Sequence, residues 1–299
     1  MRINPNLVPD ILEGLQQSQQ TLNTALEQVS TGKSVNVPSD DPAASAAMVQ
    51  NTIETGNVDQ YTKNVNSVLS NVQSADSVLS NVVKSLTQAV SLGTEGANGL
   101  NTAAQRQEVA TQVQGIFSSV LSAANTSVGG AFLFGGTSTA TPYTADAAQP
   151  GGYTYNGNNG TDSVQIGDQT SVQANLPGSQ IFSDPAADVL GSLTSLVAAL
   201  QGGDTATIGT ATAAVDTALN LVSQQQVFYG NAESQLNSQE TYLQQDTVTL
   251  STQENNLIGA NTAEAATNLS QAETANSAAL AAAAKVLPTT LLNYLAPPS

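Results

Sequence analysis

The side chains best able to do chemistry in this 299-residue chain are carboxylates, because it contains neither histidine nor cysteine. Without cysteine no disulfide or thiolate metal site is possible. Without histidine the usual general base near neutral pH and the usual transition-metal ligand are both missing. Two acidic spacings remain. Asp40-Asp41 has the makings of a metal or acid–base pair, but Pro42-Ala43-Ala44 follows, so Asp41 reads as a helix N-cap with proline at the first helical position. Asp162 and Asp168 invite a calcium reading, yet their spacing matches no EF-hand loop. The glycine-rich run Gly129 to Gly136 resembles a phosphate loop, but no Lys-Ser/Thr follows it and no helix opens after it. It reads as a buried turn anchoring a helix end. A Ser–Lys dyad is the remaining route to catalysis, and no spacing singles one out. The chain is expected to have no catalytic residue, no metal and no cofactor.

The charge balance excludes further classes. Twenty-three acids stand against six bases, a formal net charge of −17. The bases Arg2, Lys33, Lys63, Lys84, Arg106 and Lys285 form no patch, so neither nucleic acid nor an anionic membrane is expected as a partner. Met1-Arg2-Ile3-Asn4-Pro5 is not followed by an apolar h-region, and no 18-residue apolar run occurs, so neither a cleavable signal peptide nor membrane insertion is expected. Charged residues make up 10% and aromatics 4% of the chain, thin material for an aromatic core but suited to long helices packed through small and β-branched side chains.

The elements follow from periodicity. Between Val58 and Ala89, apolar positions at Val58, Tyr61, Val65, Val68, Val72, Ala75, Leu79, Val82, Leu86 and Ala89 step by three and four without a miss. Such a rod is roughly 50 Å long, and its one narrow stripe needs partner helices. Residues 7–30 carry the same pattern through Ile11, Leu15, Ser18, Leu22 and Ala25, with Gly32 fitting the position that closes the helix. Gly93, Gly96 and Gly99 mark a break, and a third helix runs from about Thr102 to Ser127. From Thr137 to about Ser183 the composition shifts to Gly, Thr, Tyr, Asn and Pro. Here Tyr153-Thr154-Tyr155 and Val164-Gln165-Ile166 alternate as strands do, with Asn156-Gly157 as a hairpin signal. Asp184-Pro185 repeats the cap-plus-proline signal for a new helix, which Gly202-Gly203 interrupts. Val215, Val222, Tyr229, Leu236, Leu243, Leu250 and Leu257 then recur every seven residues. A last helix carries Leu269, Ala272, Asn276, Ala279 and Ala283, and Pro288 ends or kinks it.

The fold class expected is mainly α, a long-helix bundle or coiled coil formed by the N- and C-terminal segments, with a small antiparallel β insertion. The domain boundaries expected are residues 1–35 with 258–299 as a terminal helical pair, 36–138 with 184–257 as a helical bundle, and 139–183 as the β domain.

A run near the start and three further features give a resemblance. Ser30-Thr31-Gly32-Lys33-Ser34 leading to Ser39-Asp40-Asp41-Pro42-Ala43 resembles the amino-terminal region of flagellins. Within that superfamily, three features are similar to the hook-associated protein 3 (hook–filament junction) family. They are the aromatic Gly129 to Thr137 segment, the short insertion with Tyr155-Asn156-Gly157 and Asn175 to Phe182, and the ending Leu291-Leu292-Asn293-Tyr294-Leu295. The resemblance implies a non-enzymatic structural subunit of the bacterial flagellum, exported by the flagellar type III route and located outside the cell at the hook–filament junction. Its implied partners are further copies of itself in a tubular assembly, another hook-associated protein, flagellin, and an export chaperone at the C-terminal helix. Terminal helices that order on assembly are also implied. Assembly contacts are expected at Leu7, Ile11, Leu15, Leu22, Leu26, Leu269, Leu280, Leu287, Leu291, Leu292 and Leu295. A filament-forming flagellin is the alternative, and an exported adhesin using Tyr143, Tyr153 and Tyr155 of the β insertion is the second.

Overall fold

The computed structural model describes residues 7–295, with side chains described from residue 9 to residue 285. The fold is mainly helical, as the periodicities predict. Its helices are α1 (Leu7–Thr31), α2 (Pro42–Gly96), α3 (Ala103–Ala124), α4 (Val189–Gly202), α5 (Thr205–Ile258) and α6 (Thr262–Leu295). Six short strands lie between α3 and α4: β1 (Ser127–Val128), β2 (Ala131–Phe132), β3 (Tyr143–Ala145), β4 (Tyr153–Tyr155), β5 (Ser163–Gln165) and β6 (Ser171–Gln173). The chain divides into two compact units. One contains residues up to 57 together with those from 245 onward, and the other contains residues 58–244.

Local chemistry sets the helix ends. Gly32, at φ +69, closes α1 by donating its N–H to the Gln28 carbonyl at 3.0 Å. Asp41 opens α2 as a cap, its Oδ1 accepting from the Ala43 and Ala44 amides at 2.9 Å each, so the acidic pair serves structure. Thr102 and Gln105 form a capping box at α3. The cap expected at Asp184 is four residues further on. Asp184 instead folds its carboxylate onto the Ala186 amide in a tight turn, and Asp188 caps α4 through Gly191 N–H at 2.8 Å. α6 continues past Pro288, whose missing N–H removes one ladder bond without ending the helix.

In the 58–244 unit the seven-residue stripe is the core. Val65, Val72, Leu79, Leu86 and Ala89 of α2 have no exposed surface, nor do Val215, Val222 and Leu236 of α5. Gln73 Nε2 donates to Glu233 Oε1 at 3.0 Å along the flank of this seam. Helices α3 and α4 pack on each other, with Val113 and Val120 of α3 and Leu193, Leu196 and Leu200 of α4 buried.

The strands form three separate antiparallel hairpins, β1–β2, β3–β4 and β5–β6. The Asn156-Gly157 signal does not join β4 to β5. β4 pairs back with β3 in the register Tyr143↔Tyr155, and β5 pairs forward with β6. An Asn-Gly turn needs strands on both sides at once. Here the segment after Tyr155 is held otherwise, by Asn158 Oδ1 accepting from Thr137 N–H and Gly160 N–H, each at 2.9 Å.

Gly93 and Gly96, expected to mark a break, lie inside the last turn of α2. They are there for close approach. A Cβ on Gly93 would sit 2.3 Å from Thr212 Oγ1, and one on Gly96 would sit 2.2 Å from Leu200 Cδ2. Gly96→Ala is therefore expected to destabilise the fold by about 1–3 kcal/mol through overpacking, measured as a lower urea midpoint with unchanged slope.

Candidate assembly surfaces and the tyrosine cluster

The unit built from the chain ends is an antiparallel pair, α1 against α6, tied at one end by backbone. Ser34 N–H donates to the Ile258 carbonyl at 2.6 Å, Ala260 N–H donates to the Gly32 carbonyl at 2.9 Å, and Lys33 bridges Gly259. Lys33 Nζ also reaches Glu254 Oε1 at 3.4 Å. The seam between these helices is mostly alanine: Ala25, Ala265, Ala272 and Ala283 are buried. Ile11, Leu15, Leu22 and Leu269 are half-buried beside them. Two polar residues interrupt the seam, Ser18 and Asn276. Their Oγ and Oδ1 atoms are shielded from solvent without a hydrogen-bond partner, which weakens the pair.

Of the expected contact residues, Leu26 and Leu280 stand off the seam, 45% and 47% exposed, with Leu12 and Val29 beside them in the same condition. The side chains of Leu7, Leu287, Leu291, Leu292 and Leu295 lie outside the described residues.

The sequence reading missed further exposed apolar side chains in this unit. Val37, Val49 and Ile53 are each about half exposed or more, as is Val248 on α5. The signal was present. Stepping back from Val58 by three and four places Thr55, Asn51, Met48 and Ala44 on the inner face of α2, and Val49 and Ile53 fall between those steps. Asn51 is the buried polar member of the stripe. Its Nδ2 donates to the Leu250 carbonyl at 3.1 Å and to Gln253 Oε1 at 3.3 Å.

In the 58–244 unit, Tyr143 lies in an aromatic cluster, with ring centroids 4.8 Å from Tyr155, 5.6 Å from Tyr153 and 5.9 Å from Phe182. Its hydroxyl is 2.9 Å from Ser183 Oγ. Tyr153 donates to Asp188 Oδ2 at 3.0 Å, and Tyr155 donates to the Asn158 carbonyl at 2.9 Å. These three rings are packed inward or against one another, so they do not form the exposed ligand platform of the adhesin alternative. Burial pushes all three phenols above their ordinary range, and the Asp188 carboxylate adds to the rise at Tyr153. Burial also raises the Asp188 carboxyl, against the hydrogen bonds it accepts. Tyr229 is fully buried and its phenol is raised likewise, while its oxygen accepts from Leu176 N–H at 3.2 Å. A cavity of about 220 Å³ beside the hairpins, lined in part by Asn71, Phe132, Thr137 and Asn175, contains a single carboxylate, Asp162. It therefore holds no pair of carboxylates. Among the described residues no group of three or more Asp or Glu is placed to hold a metal ion, and no helix is long and apolar enough to cross a membrane.

The bacterial flagellin N-terminal helical region matches residues 6–139, and the flagellin C-terminal helical region matches residues 212–295. The flagellar hook-associated protein 3 of Salmonella typhimurium is 32% identical over 187 residues, covering 61% of this chain and 57% of that protein. The protein of the same name from Escherichia coli is 36% identical over 132 residues, covering 44% and 41%. This chain belongs to the flagellin superfamily. The matches span about half the length of these relatives. The fold is shared with a putative flagellar hook-associated protein of Vibrio parahaemolyticus, at TM-score 0.67 and 21% identity over 74% of this chain and 100% of that one. It is also shared with Bacillus cereus FlgL, at TM-score 0.60 and 22% identity over 69% and 99%.

In this flagellin-superfamily chain, the two matched regions contain α1 to α3 and most of α5 with α6, while β3 to β6 and α4 lie between them. The tyrosine cluster therefore belongs to the part outside both flagellin regions. It carries a pH signature. In the unfolded chain tyrosines release their protons near pH 10, whereas the folded cluster keeps them, so above that pH the unfolded state binds fewer protons and stability falls as pH rises. The urea midpoint is expected to drop between roughly pH 9 and pH 11.5, with phenolate absorbance from these rings appearing only as the protein unfolds. Titration of all seven tyrosines near pH 10 in the folded protein would contradict this assignment.

Proposed function

We propose that this protein is a structural subunit of the bacterial flagellum that joins the hook-associated region to the flagellin filament by helical self-assembly. The observation that carries the reading is the α1–α6 pair, whose seam is alanine-lined and interrupted by polar atoms, while Leu12, Leu26, Val29 and Leu280 remain on its outside. A two-helix pair has no room to bury a second apolar edge, and such an edge marks a partner surface. The name shared by the Salmonella and Escherichia relatives, flagellar hook-associated protein 3, supports the junction role.

In this reading residues 1–35 with 258–299 form the assembly-dependent part, 36–138 with 184–257 the supporting bundle, and 139–183 the outer β region. The contacts are borne by Leu7, Ile11, Leu15, Leu22 and Leu26 at one end and by Leu269, Leu280, Leu287, Leu291, Leu292 and Leu295 at the other. The partners are further copies of the chain, a second hook-associated protein and flagellin, with an export chaperone covering the C-terminal helix before assembly. The location is extracellular, reached by a route that needs no cleavable signal peptide.

Electron microscopy of the purified protein, with and without isolated hooks as seeds, tests the proposal. Short caps on hooks and no free filaments are expected; long filaments from the protein alone, or no hook binding, would overturn it. With 23 acids against six bases, copies repel at low ionic strength, so capping should increase with salt. Leu26→Ser and Leu280→Ser are expected to change monomer stability by no more than about 0.5 kcal/mol, being half-exposed, while reducing the fraction of capped hooks.

A further inference from the structure

The chain contains three Asn-Gly pairs, Asn98-Gly99, Asn156-Gly157 and Asn159-Gly160. This dipeptide is where an asparagine amide is most open to attack by the following backbone nitrogen, because glycine puts no side chain in the way. The structure surrounds the three pairs differently.

Asn98 and Gly99 lie in the exposed connection between α2 and α3, in a turn closed by Asn101 N–H donating to the Asn98 carbonyl at 3.0 Å. Asn98 Oδ1 accepts from Leu100 N–H at 3.1 Å, which folds the side-chain carbonyl back over the Gly99 peptide. Among the described residues Gly99 N–H donates to nothing, and Asn98 Nδ2 is likewise unengaged. The nucleophile and the leaving group are both free, and the oxygen that takes on negative charge already has a donor.

The other two pairs are restrained. Asn156 Nδ2, the nitrogen that would leave, donates to Thr144 Oγ1 at 3.2 Å and to the Thr141 carbonyl at 3.4 Å. Gly160 N–H, the nucleophile of the third pair, is engaged instead of free, donating to Asn158 Oδ1 at 2.9 Å, although Asn159 Oδ1 has a donor in Ser179 Oγ as Asn98 Oδ1 has in Leu100 N–H.

We infer that Asn98 is a site of spontaneous deamidation, set apart from the other two Asn-Gly pairs by the hydrogen bonds of the α2–α3 turn. Gly99 N attacks Asn98 Cγ and gives up its proton. The Cγ–Nδ2 bond breaks and ammonia leaves, closing a succinimide. Water then opens that ring at either carbonyl, giving aspartate or isoaspartate without any change of oxidation state. Either product adds a negative charge beside Leu100, which is 90% exposed.

The test is peptide mapping by mass spectrometry of the full-length protein held at mildly alkaline pH, folded and in guanidinium. In the folded protein Asn98 is expected to convert at least roughly fivefold faster than Asn156 or Asn159, the factor that one net hydrogen bond corresponds to. In guanidinium the three rates should converge. Gly99→Ala should suppress conversion at Asn98 without disturbing the fold, because a Cβ there meets nothing within 4 Å. Equal rates in the folded protein, or a faster rate at Asn156 or Asn159, would overturn the inference. So would an Asn98 advantage that persists in guanidinium, since local sequence would then explain it.

Discussion

The structure depends on one constraint: a helix whose apolar stripe is only two positions wide per heptad cannot bury that stripe alone. Along α2 and α5 the stripe is made mostly of Val, Ala and Leu, with Tyr61 on one helix and Tyr229 on the other, and small side chains of this kind favour close packing of helices. Gly93 and Gly96 extend this economy of size to the end of α2, where Thr212 and Leu200 occupy the space that side chains would take. A chain with 4% aromatics can be well packed in this way, because density is reached through close backbones and not through large rings. The rings that do exist are concentrated: Phe134, Tyr143, Tyr153, Tyr155 and Phe182 form one cluster that anchors the hairpins.

The same constraint gives opposite results at the chain ends. There the buried residues of the seam are alanines, Ile11, Leu15, Leu22 and Leu269 are only half-buried along with Ser18 and Asn276, and Leu26 and Leu280 lie outside it. Apolar area buried by alanine is small, at roughly 25 cal/mol per Å², so a pair built this way is held weakly. A valine- and leucine-lined seam and an alanine-lined one thus share a period while differing in strength, and the weaker one carries the larger apolar residues on its outer side.

Period and caps were legible in the sequence because both are local. The stripe from Val58 to Ala89, the proline-backed cap at Asp41, the Gly32 terminus and the Gly203 terminus each follow from a few adjacent residues. What was not legible depends on tertiary partners. Asp184-Pro185 and Asp188 are both acceptable openings for α4, and only the pairing of Tyr153 with Asp188 and the turn at Ala186 separate them. Asn156-Gly157 is a sound turn signal whose flanking strands find other partners. The aromatic residues of the insertion looked like a surface because tyrosine suits both surfaces and cores; the hydroxyl contacts to Ser183, Asp188 and Asn158 decide for packing. Asn51 and the off-stripe Val49 and Ile53 could have been found by continuing the three-four count backwards into the start of α2.

The backbone lacing of Ser34 to Ile258 and of Gly32 to Ala260 has a consequence for biosynthesis. The two strands of contact are separated by more than two hundred intervening residues, and α1 leaves the ribosome long before α6 is made. Its seam face therefore has no intramolecular mate until the end of translation, whereas α3 and α4, which contact each other, are both made before α6. Closing so long a loop carries an entropy cost that grows only slowly with length, so the delay is one of timing more than of free energy. The first helix to be made is thus the one that waits for the last.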